Sequence, residues 1–381
     1  MISIVIPTFN EVKNIIPLLK TLINIVTDFE YEIIVVDDDS PDGTSQEINK
    51  FMKDNKKVKL ITRIGRSGLS SAIKEGLIFA QGKYLLVLDG DGQHEPTFVL
   101  NMIERIKRNK VAIVIGSRFL NSSRLEGLSK KRSLGSKIAN KISSASLSKN
   151  YSHLTDYLSG CFCLNKEMTK YLIREIEING FKFLYELLSV SKGKLIVEEV
   201  PLIFKERRYG NSKLDLAIAW DFFISILHNF TLRVIPRRAI SFGLVGFTGI
   251  FVQLFITSLL TRILLIEFND ALPFAIICAA TSNFLINNQV TFRSNRLMKL
   301  ALLIGFFKFL LVASLPIIAN IGITTAFYKY ISADTFIAQI AGIVIVYAWN
   351  YLASSSFVWN CLLYTSPSPR DPHLSRMPSS A

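Results

Sequence analysis

The chain has 381 residues and carries 44 Lys and Arg against 30 Asp and Glu, a net charge of +14, with half of its residues hydrophobic. This length admits two domains, and a mean hydropathy of +0.34 excludes a wholly soluble protein because the apolar residues concentrate after Leu214. The basic balance does not predict nucleic acid as a partner, since no basic face is interleaved with stacking aromatics; anionic lipid head groups and phosphorylated substrates account for it better. Cys161, Cys163, Cys278 and Cys361 match neither a disulfide framework nor a zinc site.

The start, MISIVIPTFNE, reads directly as strand and turn without a secretory signal, so the first domain is expected in the cytosol. Ile2–Pro7 is a buried strand, Thr8–Glu11 a turn, and Ile15, Leu18, Leu19 and Leu22 mark a helix by their spacing. Tyr31–Val36 is a second strand ending in Asp37, Asp38 and Asp39, with a helix over Gly43–Lys53 and a third strand at Val58–Thr62. RIGRSGLSSA, from Arg63, opens a helix through Phe79, and Tyr84–Leu88 forms a fourth strand. This alternation predicts a parallel sheet with right-handed crossovers.

The fourth strand runs five apolar residues into Asp89, Asp91 and Gln93. Ligands gather at the carboxyl ends of such strands. Two carboxylates and an amide oxygen at alternate positions suit magnesium or manganese on a substrate phosphate; the competing reading is a turn cluster. RIGRSGLSSA matches neither the phosphate loop nor the dinucleotide fingerprint. With acids at two strand ends, a nucleotide could span both, its base and ribose at the first and its metal-bound diphosphate at the second.

PTFNE (7–11), VVDDDSPDGT (35–44), GLSSAIKEG (68–76) and DGDGQHEP (89–96), followed by GSRF (116–119), KRSLGSKIAN (131–140), DYLSGCF (156–162) and EVPLIFKERRYGNSKL (199–214), resemble family 2 glycosyltransferases. Within that family they are most similar to the dolichyl-phosphate or polyprenyl-phosphate hexose synthases, above all the mannosyl enzymes. The resemblance implies an α/β GT-A fold, Rossmann-like with a mostly parallel sheet, over residues 1–213. It also implies inverting, metal-dependent transfer of a hexose, foremost mannose from GDP-mannose, to dolichyl or polyprenyl phosphate. Asp89, Asp91, Arg118 and Arg132 are then the catalytic set. Pro7, Glu11, Asp37, Asp39, Asp89, Asp91, Arg207 and Lys213 hold the nucleotide sugar, while Asp89, Asp91 and Gln93 hold Mg2+ or Mn2+. Arg118 and Arg132 grip the acceptor phosphate, because guanidinium binds phosphate oxygens bidentately. Such an acceptor is already an anion near neutral pH and needs no base. Asp156 and Glu186 match acidic positions of the family, with either a loop-ordering or sugar-binding role, or a structural one. Leu128, where the family often has Trp, and Gly90 and Gly92, where it often has Ala and Leu, depart from the pattern.

Residues 214–236 are apolar but interrupted by Asp215, Asp221, His228 and Arg233; with Ile218, Phe222, Ile226 and Phe230 at helical spacing they read as an amphipathic interface helix. Over 237–360 four spans are expected, near 239–261, 272–290, 300–328 and 336–357. Arg233, Arg237, Arg238, Arg293, Arg296 and Lys299 flank one side, so the positive-inside rule predicts a multi-pass protein with the first domain cytosolic. SNFLINNQVTFR (282–293) and its echo YAWNYLASSSFVW (347–359) resemble the GtrA-like family. Asn283, Asn287, Asn288 and Asn350 are expected to face other helices. Lys308, inside the third span, reads first as a snorkelling residue and alternatively as a lipid-phosphate contact. Residues 361–381, with four prolines among the last fifteen, read as a disordered tail and resemble translated adaptor sequence. Competing functions are a polyprenyl-phosphate glucosyltransferase using UDP-glucose, a processive polysaccharide synthase, disfavoured because Gln-x-x-Arg-Trp is missing, and a lipid-linked sugar translocase or membrane scaffold.

Overall fold

A computed structural model describes residues 1–360 except 66–67, 94–96, 109, 121–123, 126–129, 177–181, 205–215 and 332–334. The chain divides into two units, Met1–Val234 and Ile235–Ala381. In the first, strands and helices alternate as β1 (Ile2–Thr8), α1 (Ile15–Ile25), β2 (Tyr31–Asp37), α2 (Thr44–Met52), β3 (Val58–Thr62), α3 (Leu69–Phe79), β4 (Tyr84–Val87), α4 (Phe98–Ile106) and β5 (Val111–Ser117). Then come β6 (Arg124–Leu125), α5 (Lys130–Ser146), β7 (Phe162–Asn165), α6 (Lys166–Glu175), α7 (Phe183–Ser191), β8 (Ile196–Pro201), β9 (Ile203–Phe204) and α8 (Leu216–Phe230).

Seven strands form one sheet in the order β3-β2-β1-β4-β7-β5-β8. All seven residues of β1 are buried, as a parallel strand covered on both faces requires. Alternate side chains feed two cores: Val5, Ile34, Val36, Leu85 and Val87 pack with α3, α6 and α7, while Ile4, Ile6, Ile33, Val35 and Leu86 pack with α1 and α4. Each such side chain contributes about 1.5–3 kcal/mol on full burial, so the sheet centre is a firm platform for whatever leaves its edge.

The expected parallel order holds from β3 to β4 and then changes. β7 enters between β4 and β5 antiparallel to both, with Phe162 opposite Val87 and Ile115. Because it runs backwards, the segment preceding it lies at the edge where β1, β2, β4 and β5 end. The sheet is therefore mixed but mostly parallel, and this one reversal brings Gly160 against Asp89 and Asp156 against Arg118.

Helix α8 turns Phe222 and Ile226 towards the first core, and Phe222 meets the Tyr185 ring edge-on at 5.8 Å. These two members of the expected lipid-facing stripe therefore pack on protein, because α5 and α7 offer an apolar surface there. Phe223 and Phe230 remain exposed.

The second unit contains α9 (Arg237–Arg262), α10 (Phe268–Gln289), α11 (Leu300–Tyr330) and α12 (Thr335–Ala353), the last running into a π-helical turn over Ser354–Val358. Among the described residues, α9 and α10 are long and apolar enough to cross a membrane, and Leu300–Ser314 is a shorter apolar stretch. The ends of the two related motifs meet: Phe292 stacks on Trp359 with centroids 4.1 Å apart. Asn288 accepts from the Leu297 N–H at 2.8 Å and from Trp359 Nε1 at 3.0 Å, so its amide does face protein rather than lipid.

Candidate active site

The sheet edge collects the chemistry. β1 ends at Thr8 opposite Asp37, and the β4 chain continues into Asp89. Pro7 is buried in β1, and Glu11 is buried where its backbone N–H donates to Thr44 Oγ1 at 3.0 Å and its carboxylate accepts from Asn14 Nδ2 at 2.7 Å. Asp37 is fully buried. Its carboxylate accepts from Thr8 Oγ1 at 3.1 Å, Ser40 Oγ at 2.5 Å, the Ser40 N–H at 3.2 Å and Ser45 Oγ at 2.7 Å. The next acid, Asp38, pairs with Arg63 at 2.9 Å and accepts from the Gly68 N–H at 2.8 Å. Asp39 is exposed, with its backbone left-handed at φ 62° and its carboxylate accepting from the Gly65 N–H. Asp37 and Asp38 thus tie the loop together, and Asp39 presents its side chain outward.

Asp89, Asp91 and Gln93 are half-buried, and Asp91 Oδ1 accepts from the Gln93 N–H at 3.1 Å. Gly92 has φ +69°, so the leucine often found there would be strained. A Cβ at Gly90 would lie 2.9 Å from Thr8 Cγ2 and 3.1 Å from the Pro7 carbonyl oxygen. Across this turn, a Cβ on Gly160 would sit 2.0 Å from Asp89 Oδ2, so the carboxylate lies directly on the glycine backbone.

Arg118 follows β5 at the same edge. Its Nε donates to Asp156 Oδ2 at 2.7 Å and its Nη2 to Oδ1 at 2.9 Å, a bidentate fork. Burial opposes its charge, but Asp156 beside it and Asp89 further off hold the guanidinium above its ordinary value. Asp156 is itself fixed from behind. Glu199 on β8 accepts from the Asp156 N–H at 2.9 Å and the Thr155 N–H at 2.9 Å, and Asn140 on α5 accepts from the Tyr157 N–H at 3.0 Å. Burial raises the Glu199 carboxyl despite these donors. The other family acid, Glu186, is buried in α7 with Arg233 at 3.8 Å.

Lys182, just before α7, is the residue that sequence reasoning missed. Burial pushes its ammonium below the usual value, against the attraction of Asp89, with Arg118, Asp156 and Asp91 also acting on it. Its only signal in the sequence was a lone cation in GFKFLYELL, four residues before Glu186.

The donor set fits a hard divalent cation: carboxylates and an amide oxygen leave a strand end together, and the Cβ-free Gly160 cradle accommodates one carboxylate. Among the described residues no three His, Cys, Asp or Glu side chains converge, so such an ion would complete its coordination with substrate oxygens and water. Arg132 falls within α5, but its side chain lies outside the described residues, as do Arg207 and Lys213.

Two family profiles match the chain: glycosyl transferase family 2 over residues 3–172 and the GtrA/DPMS transmembrane domain over residues 241–359. The dolichol-phosphate mannosyltransferase of Pyrococcus furiosus is 31% identical over 360 residues, covering 94% of this chain and 99% of the relative. That of Saccharomyces cerevisiae is 31% identical over 226 residues, 56% of this chain and 80% of the relative. Among solved structures, a mannosyltransferase of Pyrobaculum calidifontis in complex with GDP-mannose and Mn2+ covers 94% of this chain and 87% of that one at 14% identity, with a TM-score of 0.43, a likeness too loose to bear on chemistry. The match to the first relative extends over both units. The chain is a membrane glycosyltransferase and belongs to the dolichol-phosphate mannosyltransferase family.

Proposed function

We propose that the protein transfers mannose from GDP-mannose to a dolichyl or polyprenyl phosphate, with inversion at the anomeric carbon. The observation that carries the reading is the Arg118–Asp156 fork set within electrostatic reach of Asp89. Family membership over the whole chain supports the choice of mannose and of a lipid phosphate.

Departure of a nucleoside diphosphate concentrates negative charge, and the acceptor brings more. Stabilising that charge is therefore the main demand on the protein. Asp89, Asp91 and Gln93 would hold Mg2+ or Mn2+, which when bound supplies Lewis-acid neutralisation of the diphosphate. Arg118, already aligned by Asp156, orients the acceptor phosphate so that one of its oxygens attacks the anomeric carbon opposite the diphosphate. In that displacement the new carbon–oxygen bond forms as the bond to the diphosphate breaks. A phosphate anion carries its own nucleophilic electron pair, so no side chain has to remove a proton. Arg132 joins Arg118 on the acceptor, and Arg207 and Lys213 join the metal on the diphosphate. Pro7, Glu11 and Asp39 flank the nucleotide, with Asp37 bracing the loop that carries Asp39.

We also infer four membrane spans, α9 to α12, with the α/β unit cytosolic. The cations Arg237, Arg238, Arg293, Arg296 and Lys299 support that side. Exposed Phe223 and Phe230 on α8 suit the lipid head-group level.

The test is to incubate membranes holding the full chain with labelled GDP-mannose, polyprenyl phosphate and Mg2+ or Mn2+, with UDP-glucose in parallel. Mannosyl phospholipid is expected. A glucosyl product only would replace the sugar assignment, and no lipid-linked product from either donor would overturn the proposal.

A further inference from the structure

The membrane half holds a crevice between α11 and the end of α12. Its cavity volume is about 300 Å³, and it is lined by Lys308, Leu311, Val312, Trp349, Ala353 and Phe357. Val312 and Ala353 form a buried floor, while Leu311, Trp349 and Phe357 stand exposed on the walls. The small Ala353 gives the crevice its depth. Phe357 belongs to the π-helical turn Ser354–Val358, and such a turn, rare and concentrated at functional positions, changes the direction in which following side chains point.

Lys308 is the one cation among the residues lining this crevice, and it gives its aliphatic stem to an almost wholly apolar wall. Lys308 lies eight residues into α11, roughly 12 Å along the axis from Leu300 at about 1.5 Å per residue, in a helix that begins beside Arg293, Arg296 and Lys299. The acids of the sequence between 235 and 360 are Glu267, Asp270 and Asp334. Glu267 and Asp270 sit at the start of α10, the helix end remote from the start of α11, and Asp334 lies outside the described residues. Among the described residues of this half, no acidic side chain is placed near Lys308 along the bundle. An ammonium at such depth without a counter-ion is costly, and a compact lysine charge suits a phosphate.

We propose that this crevice is a holding site for a single-chain lipid monophosphate, the polyprenyl phosphate acceptor before it reaches Arg118, with its phosphate on Lys308 and its first isoprene units between Trp349 and Phe357. The proposal rests on the acceptor assigned above. One cation at the mouth of one narrow slot matches one phosphate on one chain, and it matches a two-chain phospholipid less well. The membrane half would thereby gather a scarce, insoluble acceptor.

The test uses the full chain in phosphatidylcholine vesicles, with Lys308→Gln and Ala353→Phe as variants. A diazirine-bearing polyprenyl phosphate is photolysed on the protein, and adducts are mapped by mass spectrometry without any transfer step. Labelling at Leu311 or Phe357 that falls about tenfold in both variants, the scale of one charged contact or one blocked slot, is expected. KM for long-chain polyprenyl phosphate should rise by a similar factor, while KM for GDP-mannose and turnover of a short, water-soluble isoprenyl phosphate stay unchanged. Labelling unaffected by either variant would overturn the proposal. So would an equal loss on both acceptors, or labelling abolished by phosphatidylglycerol at the level of the probe, which would assign the crevice to bulk phospholipid. If wild-type protein transfers no sugar but still labels at Leu311 or Phe357 in a Lys308-dependent way, the reaction assignment fails and the crevice stands.

Discussion

Replacing Gly160 by Ala tests whether the acidic turn is a metal site positioned by its backbone neighbour. The added Cβ would lie 2.0, 2.6 and 2.8 Å from Asp89 Oδ2, Cγ and Oδ1, whereas carbon contacts are comfortable near about 3.5–4.0 Å. Asp89 must then move by roughly 1 Å or more. Ligand distances to magnesium tolerate far less, being held near about 2.0–2.1 Å, and a misplacement of about 1 Å can cost ~100-fold in rate. The expected result is a ~100-fold fall in kcat/KM, about 2.7 kcal/mol of transition-state stabilisation, with a higher Mn2+ concentration for half-maximal activity. Asp89 is half-buried and can rotate towards solvent, so folding should survive. The assay is sugar transfer as a function of Mn2+, alongside thermal unfolding of the same preparations. Wild-type activity with an unchanged metal requirement would refute the assignment of Asp89, and so would an activity loss that merely follows loss of folded protein.

Lys182→Met should have two effects of opposite sign: tighter Mn2+ binding, because a cation acting on Asp89 and Asp91 is removed, and a kcat/KM lower by about tenfold or more, because charge stabilisation during transfer is lost; weaker metal binding would contradict it. Asp156→Asn should raise KM for the lipid phosphate but not for the nucleotide sugar, and destabilise the fold by about 3 kcal/mol, as expected when one member of a buried pair is removed; equal effects on both substrates would place Arg118 elsewhere in the reaction. Burial raises the Cys163 thiol to about 12, so Cys163 should resist alkylation at pH 8 until the protein is unfolded. Since the folded thiol keeps its proton after the unfolded one has lost it, Cys163 should make stability decline between the ordinary thiol value and about 12, by at most about 1.4 kcal/mol per pH unit for this one group; buried Cys161, whose thiol is also raised, adds to the slope, so in urea titrations Cys163→Ala should lessen it rather than remove it.

Legibility in the sequence followed the range of the interactions. β1, β2 and β4 announce themselves as apolar runs ending in polar turns, and their parallel pairing follows from alternation with helices. β7 does not. Its four residues, FCLN, could pair in either direction, and only the completed sheet decides that they run backwards. The site divides likewise. Asp89, Asp91 and Gln93 are neighbours in sequence and could be read together. The bracing of Arg118 by Asp156, and of Asp156 by Glu199, links positions 118, 156 and 199 through a strand order that no local pattern encodes. Gly160 is harder still, because what matters is the atom it lacks. Asp37 and Asp39 look equivalent in VVDDDS, yet one is buried and consumed by four donors from Thr8, Ser40 and Ser45, and the other is exposed.

The arrangement of charge explains why so much rigidity is spent on one arginine. A guanidinium that must meet a mobile lipid phosphate loses side-chain entropy each time it is ordered, of the order of 2 kcal/mol for a long side chain. Asp156 removes most of that cost beforehand by fixing both the Nε and Nη2 edges of Arg118. A carboxylate partner, however, competes with the very phosphate that Arg118 is meant to hold. The competition is bearable because Asp156 takes two donors of a group that has five, leaving an outward edge for substrate, and because the Glu199 contacts to the Thr155 and Asp156 amides keep Asp156 from following the guanidinium outward. It follows that Glu199 is a positioning residue, reaching Arg118 through the backbone it holds. Its loss should loosen Arg118 while leaving the guanidinium its carboxylate partner, which distinguishes it from Asp156, whose loss removes that partner.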